Sequence, residues 1–182
     1  ALPRAKQLIA EAGLGTGFNV ELHCTSDRFP GDGAVCQAIG QMLAPIGIRV
    51  KVNAISRTLF FPAHQRLEYS MAMNGWGTLT GEASFTVDAM IHSPDAARGL
   101  GGWNRNGYSR PELDKLIVDA AAEIDDAKRR QMYERVFTTV LADRAWLPIV
   151  QLQTVWAGRA DKVVVTPRAD EETLAYFVKP AN

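Results

Sequence analysis

The stretch FNVELHCTSDRFPGDGAVCQAIGQMLAPIGIRVKVNA, residues 18–54, decides the fold. Its first eight residues place Phe18, Val20, Leu22 and Cys24 at every second position, the period of a strand with one buried face. A polar loop, SDRFPGDG, follows. Val35, Ala38, Ile39, Met42 and Leu43 then fall on one helical stripe, which Pro45 and Gly47 end. Alternation resumes at Ile48, Val50, Val52 and Ala54, which predicts a second strand with those residues inward. Strand, helix and strand in succession predict an α/β lobe with helices packed on a sheet.

Working outward, LPRAKQLIAEAG reads as a helix with Pro3 in its first turn, Leu8, Ile9 and Ala12 on one face, and Gly13 closing it. On the other side Ser56 is placed to cap a short helix through RTLFFPAHQR, which contains Pro62. Tyr69, Met71 and Met73 alternate as a third strand, and SFTVDAMIHS predicts a short helix. After the loop RGLGGWNRNGY, Ser109 and Glu112 stand three apart as a capping box ahead of Leu113, Leu116, Ile117 and Ala120. DDAKRRQMYERVFTTVLAD predicts another helix, with Met132, Val136, Phe137, Val140 and Leu141 on its stripe. WLPIVQLQTVWAG and KVVVTP are late strand candidates.

Composition excludes several classes. The 182 residues are 47% hydrophobic and 22% charged, enough for a real core. Twenty basic and twenty acidic residues cancel, so no field favours nucleic acid or an anionic membrane. No run approaches the roughly 18 apolar residues of a membrane span. The chain opens inside a helical pattern and without Met, as a fragment or a processed form would. Cys24 and Cys36 form no CxxC; buried thiols are expected over a disulfide, and a zinc site over neither.

Two loops leave strand ends with useful chemistry. TSDRFP carries Asp27 and Arg28, and GWGTLTGE carries Gly75, Trp76, Gly77, Thr78 and Glu82. Ligands of open α/β sheets collect beyond the carboxyl ends of strands, so the two loops can converge on one site. An arginine fork suits a carboxylate and a tryptophan offers a flat wall. Arg28 as a solvated charge and Trp76 as a core anchor explain the same residues, and pattern alone leaves both readings open. Gly75, Gly77 and Gly81 miss the dinucleotide spacing, and no phosphate loop or nucleophile elbow occurs. Asp125 and Asp126 sit at a helix start, where the dipole accounts for them. No enzyme, cofactor or metal is expected.

The order of motifs resembles the C-terminal part of family 5 solute-binding proteins, the dipeptide, oligopeptide and nickel class of ABC importers. The resemblance runs through AKQLIAEAG, the stretch from Ser26 to Val52, YSMAMNGWG, GYSRPELDKLIVDAAAEIDDAKRRQMYERV and DRAWLPIVQLQTVWA. It implies a periplasmic-binding-protein type II-like lobe, a mixed sheet flanked by helices, spanning residues 1–160. Residues 161–182 would belong with a missing N-terminal lobe. It implies further an extracytoplasmic, soluble or lipid-anchored receptor that captures a peptide-like or other small solute between lobes and presents it to the permease subunits. By the same resemblance Arg28 anchors a ligand carboxylate, Gly75 and Trp76 line the pocket, and Asn104 lies near the cleft. Leu79 stands where the family usually has an Asp that pairs with the ligand's amine, so either Glu82 substitutes or the ligand lacks that amine. A free-standing α/β enzyme and an interaction domain are the competing readings.

Overall fold

The computed structural model describes residues 2–78, 80–153, 155–168 and 172–181. Their contacts separate into one unit through Thr138 and another from Thr139.

The first unit is built on β1 (Phe18–Thr25). It runs parallel to β2 (Ile48–Ile55) in unbroken register from Phe18↔Ile48 to Thr25↔Ile55. On its other side it pairs in parallel with the short β3 (Met71–Ala72), giving the order β2-β1-β3. Parallel neighbours need a crossover, and α2 (Asp32–Leu43) supplies the first and α3 (Arg57–Gln65) the second. Gly17 and Gly47 close the lower end of this layout. Both have positive φ, and a Cβ on Gly17 would lie 2.1 Å from the Gly47 carbonyl oxygen. That carbonyl accepts from the Phe18 N–H at 3.1 Å and so starts the ladder.

Leu22, Cys24 and Cys36 are fully enclosed, with Ile39, Val50, Val52, Met71 and Met73 packed around them. The expected stripe on α2 is turned, because Met42 is 75% exposed. Gly40 explains the turn: a Cβ there would touch Val50 at 3.4 Å, so the helix meets the sheet on its Cys36–Ile39–Gly40 side. Ala54 is likewise exposed. The predicted stripe of α1 (Leu2–Glu11) finds no core either, and no residue of it is buried.

Ser56 caps α3 as expected, accepting from the Thr58 N–H at 3.3 Å. Pro62 sits inside that helix. The helix predicted over 84–93 is α4 (Ala83–Thr86) continued by a wider turn over Val87–Ile91. In α5 (Pro111–Ala122) the expected capping box does not form. Pro111 takes the first helical position, which moves the cap to Arg110, and Ser109 instead accepts from Ser93 Oγ at 2.8 Å. Asp125 does cap α6 (Asp126–Ala142), accepting from the Ala127 and Lys128 N–H groups at 2.9 and 3.1 Å. Tyr133, Val136 and Val140 are its buried positions, while Leu141 of the predicted stripe is exposed.

In the second unit β4 (Val163–Val165) pairs antiparallel with β5 (Val178–Pro180). The strand expected over 146–158 is absent among the described residues, and Leu147, Ile149, Val150, Leu152 and Val155 are exposed. Apolar alternation makes a strand only where another strand offers its backbone.

Candidate functional site

The carboxyl end of β1 feeds a loop whose shape is set by Asp32, the first residue of α2. Its buried carboxylate accepts from Thr25 Oγ1 at 2.7 Å and from the N–H groups of Arg28, Phe29 and Gly33 at 3.2, 3.4 and 2.8 Å. Burial alone would raise its pKa; the four hydrogen bonds outweigh burial and hold it below the usual value.

That anchor presents Arg28. Its guanidinium is half-buried, with Cζ 4.8 Å from the Phe29 ring centre and 4.9 Å from that of Phe61 on α3. Its Nη1 donates to Asn74 Oδ1 at 2.5 Å, across from the end of β3. Burial, then the charge of Arg57, lowers its pKa, yet a guanidinium so placed stays cationic. Among the described residues no carboxylate pairs with it. Gly75 follows Asn74 because nothing larger fits: a Cβ would lie 2.3 and 2.5 Å from Cε2 and Cζ of Phe29.

Trp76 carries the surface onward. Its Nε1 donates to Thr86 Oγ1 at 3.1 Å, which fixes the indole. The ring stacks on Phe85 at 5.5 Å and meets Trp103 at 5.9 Å. Trp103 stands edge-on to Phe61 at 6.1 Å, and the Arg105 guanidinium lies over Trp103 at 5.1 Å. A strip of aromatic rings thus runs from Arg28 through Phe61 and Trp103 to Arg105, with Trp76 and Phe85 beside it. Phe60, Tyr69 and the buried His64 form a second aromatic group alongside Phe61. Burial, then the Arg105 charge, pushes the His64 pKa down to about 4, so its imidazole is neutral at pH 7.

The remaining expected residues are engaged elsewhere or lie apart. Asp27 holds the start of α3, accepting from the Arg57 N–H at 2.7 Å and from Ser56 Oγ at 3.1 Å. Gly77 and Thr78 are exposed beyond the indole. Glu82 is exposed, and its backbone N–H donates to Thr80 Oγ1 at 3.2 Å. Leu79 lies outside the described residues. Asn104 is buried and donates its amide to the carbonyls of Tyr108, His92 and Ile91 at 2.6, 3.2 and 3.5 Å. Its residue neighbours Trp103 and Arg105, not Asn104 itself, reach the rings.

The structure therefore joins Arg28, Gly75 and Trp76 and adds Phe29, Phe61, Asn74, Phe85, Trp103 and Arg105. The available signal for the last two was the alternation Trp-Asn-Arg, which puts the outer pair on one side of the chain and Asn104 on the other. Chemically, a cationic aromatic strip takes planar or apolar groups on its faces and anions at its guanidinium ends. Among the described residues no cluster of His, Cys, Asp and Glu has metal-site geometry. Cys24 and Cys36 are buried free thiols, and burial raises both pKa values.

Comparison with known proteins supplies the context. Residues 1–98 match the family described as bacterial extracellular solute-binding proteins, family 5 middle. The glutathione-binding protein GsiB of Pectobacterium atrosepticum is 26% identical over 154 residues, 79% of this chain and 28% of that protein. The probable D,D-dipeptide-binding periplasmic protein DdpA of Escherichia coli is 25% identical over 126 residues, 69% of this chain and 24% of that protein. Among solved structures, the ABC transporter-associated periplasmic binding protein DppA of Helicobacter pylori, in complex with the peptide STSA, superposes with a TM-score of 0.67. It is 27% identical, across 79% of this chain and 27% of that one. The chain spans about a quarter of the length of the relatives it matches.

Proposed function

The chain belongs to the family 5 bacterial extracellular solute-binding proteins, and we propose that it is one ligand-binding lobe of a two-lobed ABC-importer receptor. Its fold is an α/β lobe of the periplasmic-binding-protein type II kind. In this reading residues 1–160 form one wall of an interlobe cleft, and residues 161–182 return to the N-terminal lobe. The receptor works outside the cytoplasm without catalysis, handing a peptide-like or other small solute to permease subunits. Relatives named for glutathione and for D,D-dipeptides make an acidic or peptide-like solute the natural class.

One observation carries the proposal: Arg28, aimed by Asn74 and enclosed by Phe29 and Phe61, has no carboxylate partner among the described residues. A cation partly removed from water without an anion is costly, and a ligand carboxylate would repay that cost on binding. Trp76 and its neighbours supply the apolar wall. Closure then follows from the ligand's preference for the closed state over the open one.

The test is calorimetry on the full-length receptor with an acidic ligand. Arg28→Ala should weaken binding by about 2–5 kcal/mol, the range for truncating one partner of a buried charge pair. Unchanged affinity would remove Arg28 from the site.

A further inference from the structure

Arg105 repeats, at the other end of the aromatic strip, the features that single out Arg28. Its side chain is half-buried. It lies over Trp103, and among the described residues it has neither an ion pair nor a hydrogen bond from its guanidinium. Burial lowers its pKa, and among the described residues no carboxylate pairs with it. Trp103 itself is 42% exposed, so the indole that supports Arg105 still offers surface to a solute. His64 behind it is neutral and gives the guanidinium no counter-charge.

The two arginines are linked by ring contacts alone, Arg28 on Phe61, Phe61 on Trp103, and Trp103 on Arg105. Cation–aromatic contacts steady a guanidinium but leave its N–H donors unspent. Each end of the strip therefore keeps a charged fork with donors to give. The acids in the loop beside Arg28 do not reach its guanidinium: Asp27 is committed to the start of α3, and Asp32 to Thr25 and the loop backbone.

We infer that Arg105 is a second ligand-binding residue of this cleft and that the solute is dianionic, with one acidic group at Arg28, another at Arg105, and a flat apolar body across Phe61 and Trp103. This rests on the receptor reading above and narrows its solute class. A monoanion would leave one of the two guanidinium groups partly desolvated and unpaired in the closed cleft, which disfavours closure. Arg105 is then the residue that selects two charges over one.

The test uses the full-length receptor and two probes in titration calorimetry. Biphenyl-4,4'-dicarboxylate carries an acid at each end of a flat aromatic body; its monoamide, 4'-carbamoylbiphenyl-4-carboxylate, keeps the shape and loses one charge. The parent should bind the dianion at least about tenfold more tightly, in line with one charge-assisted contact. Arg105→Gln should abolish that preference from both sides, weakening the dianion and tightening the mono-acid, whose closed cleft no longer holds an unpaired guanidinium. Arg28→Gln should weaken both probes. Equal affinity of the parent for the two probes overturns the inference, as does a preference that survives Arg105→Gln. A lowered Tm with the preference retained also overturns it, by showing that Arg105 pairs within the receptor. If only the preference is missing and Arg28 dependence persists, the receptor reading stands. If neither probe binds, or Arg28→Gln changes nothing, both fall.

Discussion

Gly75→Ala is the sharpest probe of the proposed site, because the added methyl acts on Arg28 through one identifiable ring. The new Cβ would lie 2.3 Å from Cε2 and 2.5 Å from Cζ of Phe29, well inside contact distance. The ring must swing away, and it is one of the two that enclose Arg28. Overpacking of this kind costs about 1–3 kcal/mol. The stiffer unfolded chain of an alanine variant returns about 0.4–1 kcal/mol where the backbone accepts it. Net destabilisation should therefore be between about 0 and 2.6 kcal/mol, read from urea unfolding of the full-length protein. Affinity should fall as well, since losing one cation–aromatic contact and the aim it gives is worth about 0.5–2 kcal/mol. Phe29→Ala provides the control: with the ring gone, Gly75→Ala should cost almost nothing further in either measurement. A cost for Gly75→Ala that is the same in both backgrounds would refute the argument, because the methyl would then be acting somewhere other than on Phe29.

Two further outcomes follow from buried groups near the strip. Asn104→Ala strips donors from the carbonyls of Tyr108, His92 and Ile91, so it should destabilise the protein by about 1–3 kcal/mol, measured by denaturant midpoint, and loosen the segment that carries Trp103 and Arg105. His64 has a folded pKa pushed down to about 4 from 6.5, so the unfolded chain takes up its proton first; stability is fully present above pH 6.5 and lost as pH falls towards 4. The loss should reach at most about 3 kcal/mol, and His64→Leu should flatten that part of the urea-midpoint profile between pH 6.5 and 4; a profile parallel to the parent's would show that His64 does not titrate as buried.

What was legible in the sequence was what repeats along the chain. The alternation from Phe18 and the stripe from Val35 forecast β1, α2 and β2, because burial imposes those periods locally. What failed was decided by a partner distant in sequence or by one residue overriding a pattern. Gly40 let α2 approach Val50 and Val52, which rolled Met42 into solvent. Pro111 took the first helical position and displaced the Ser109 cap. The site divided in the same way. Arg28 and Trp76 could be picked out because each follows a strand end, where open sheets present their loops. Asn74 and Phe61 could not, because their contacts join separate segments and leave no spacing to read, and Arg105 left only its alternation with Trp103 about Asn104.

Asn74 makes the electrostatic logic of the site intelligible. A carboxylate at that position would hold Arg28 equally well and neutralise it, whereas an amide oxygen aims the guanidinium and leaves its charge intact. The one acid beside Arg28 in sequence, Asp27, is turned away to the Ser56 hydroxyl and the Arg57 N–H. Arg57 adds a positive charge that, after burial, lowers the Arg28 pKa further. For a fold alone, this arrangement is a liability, since like charges gather and a nearby acid is spent on a helix start. For the binding wall proposed above it would be an asset: every choice of partner preserves positive potential at a half-buried fork, so an arriving anion would meet a site whose cost of desolvation had been met during folding.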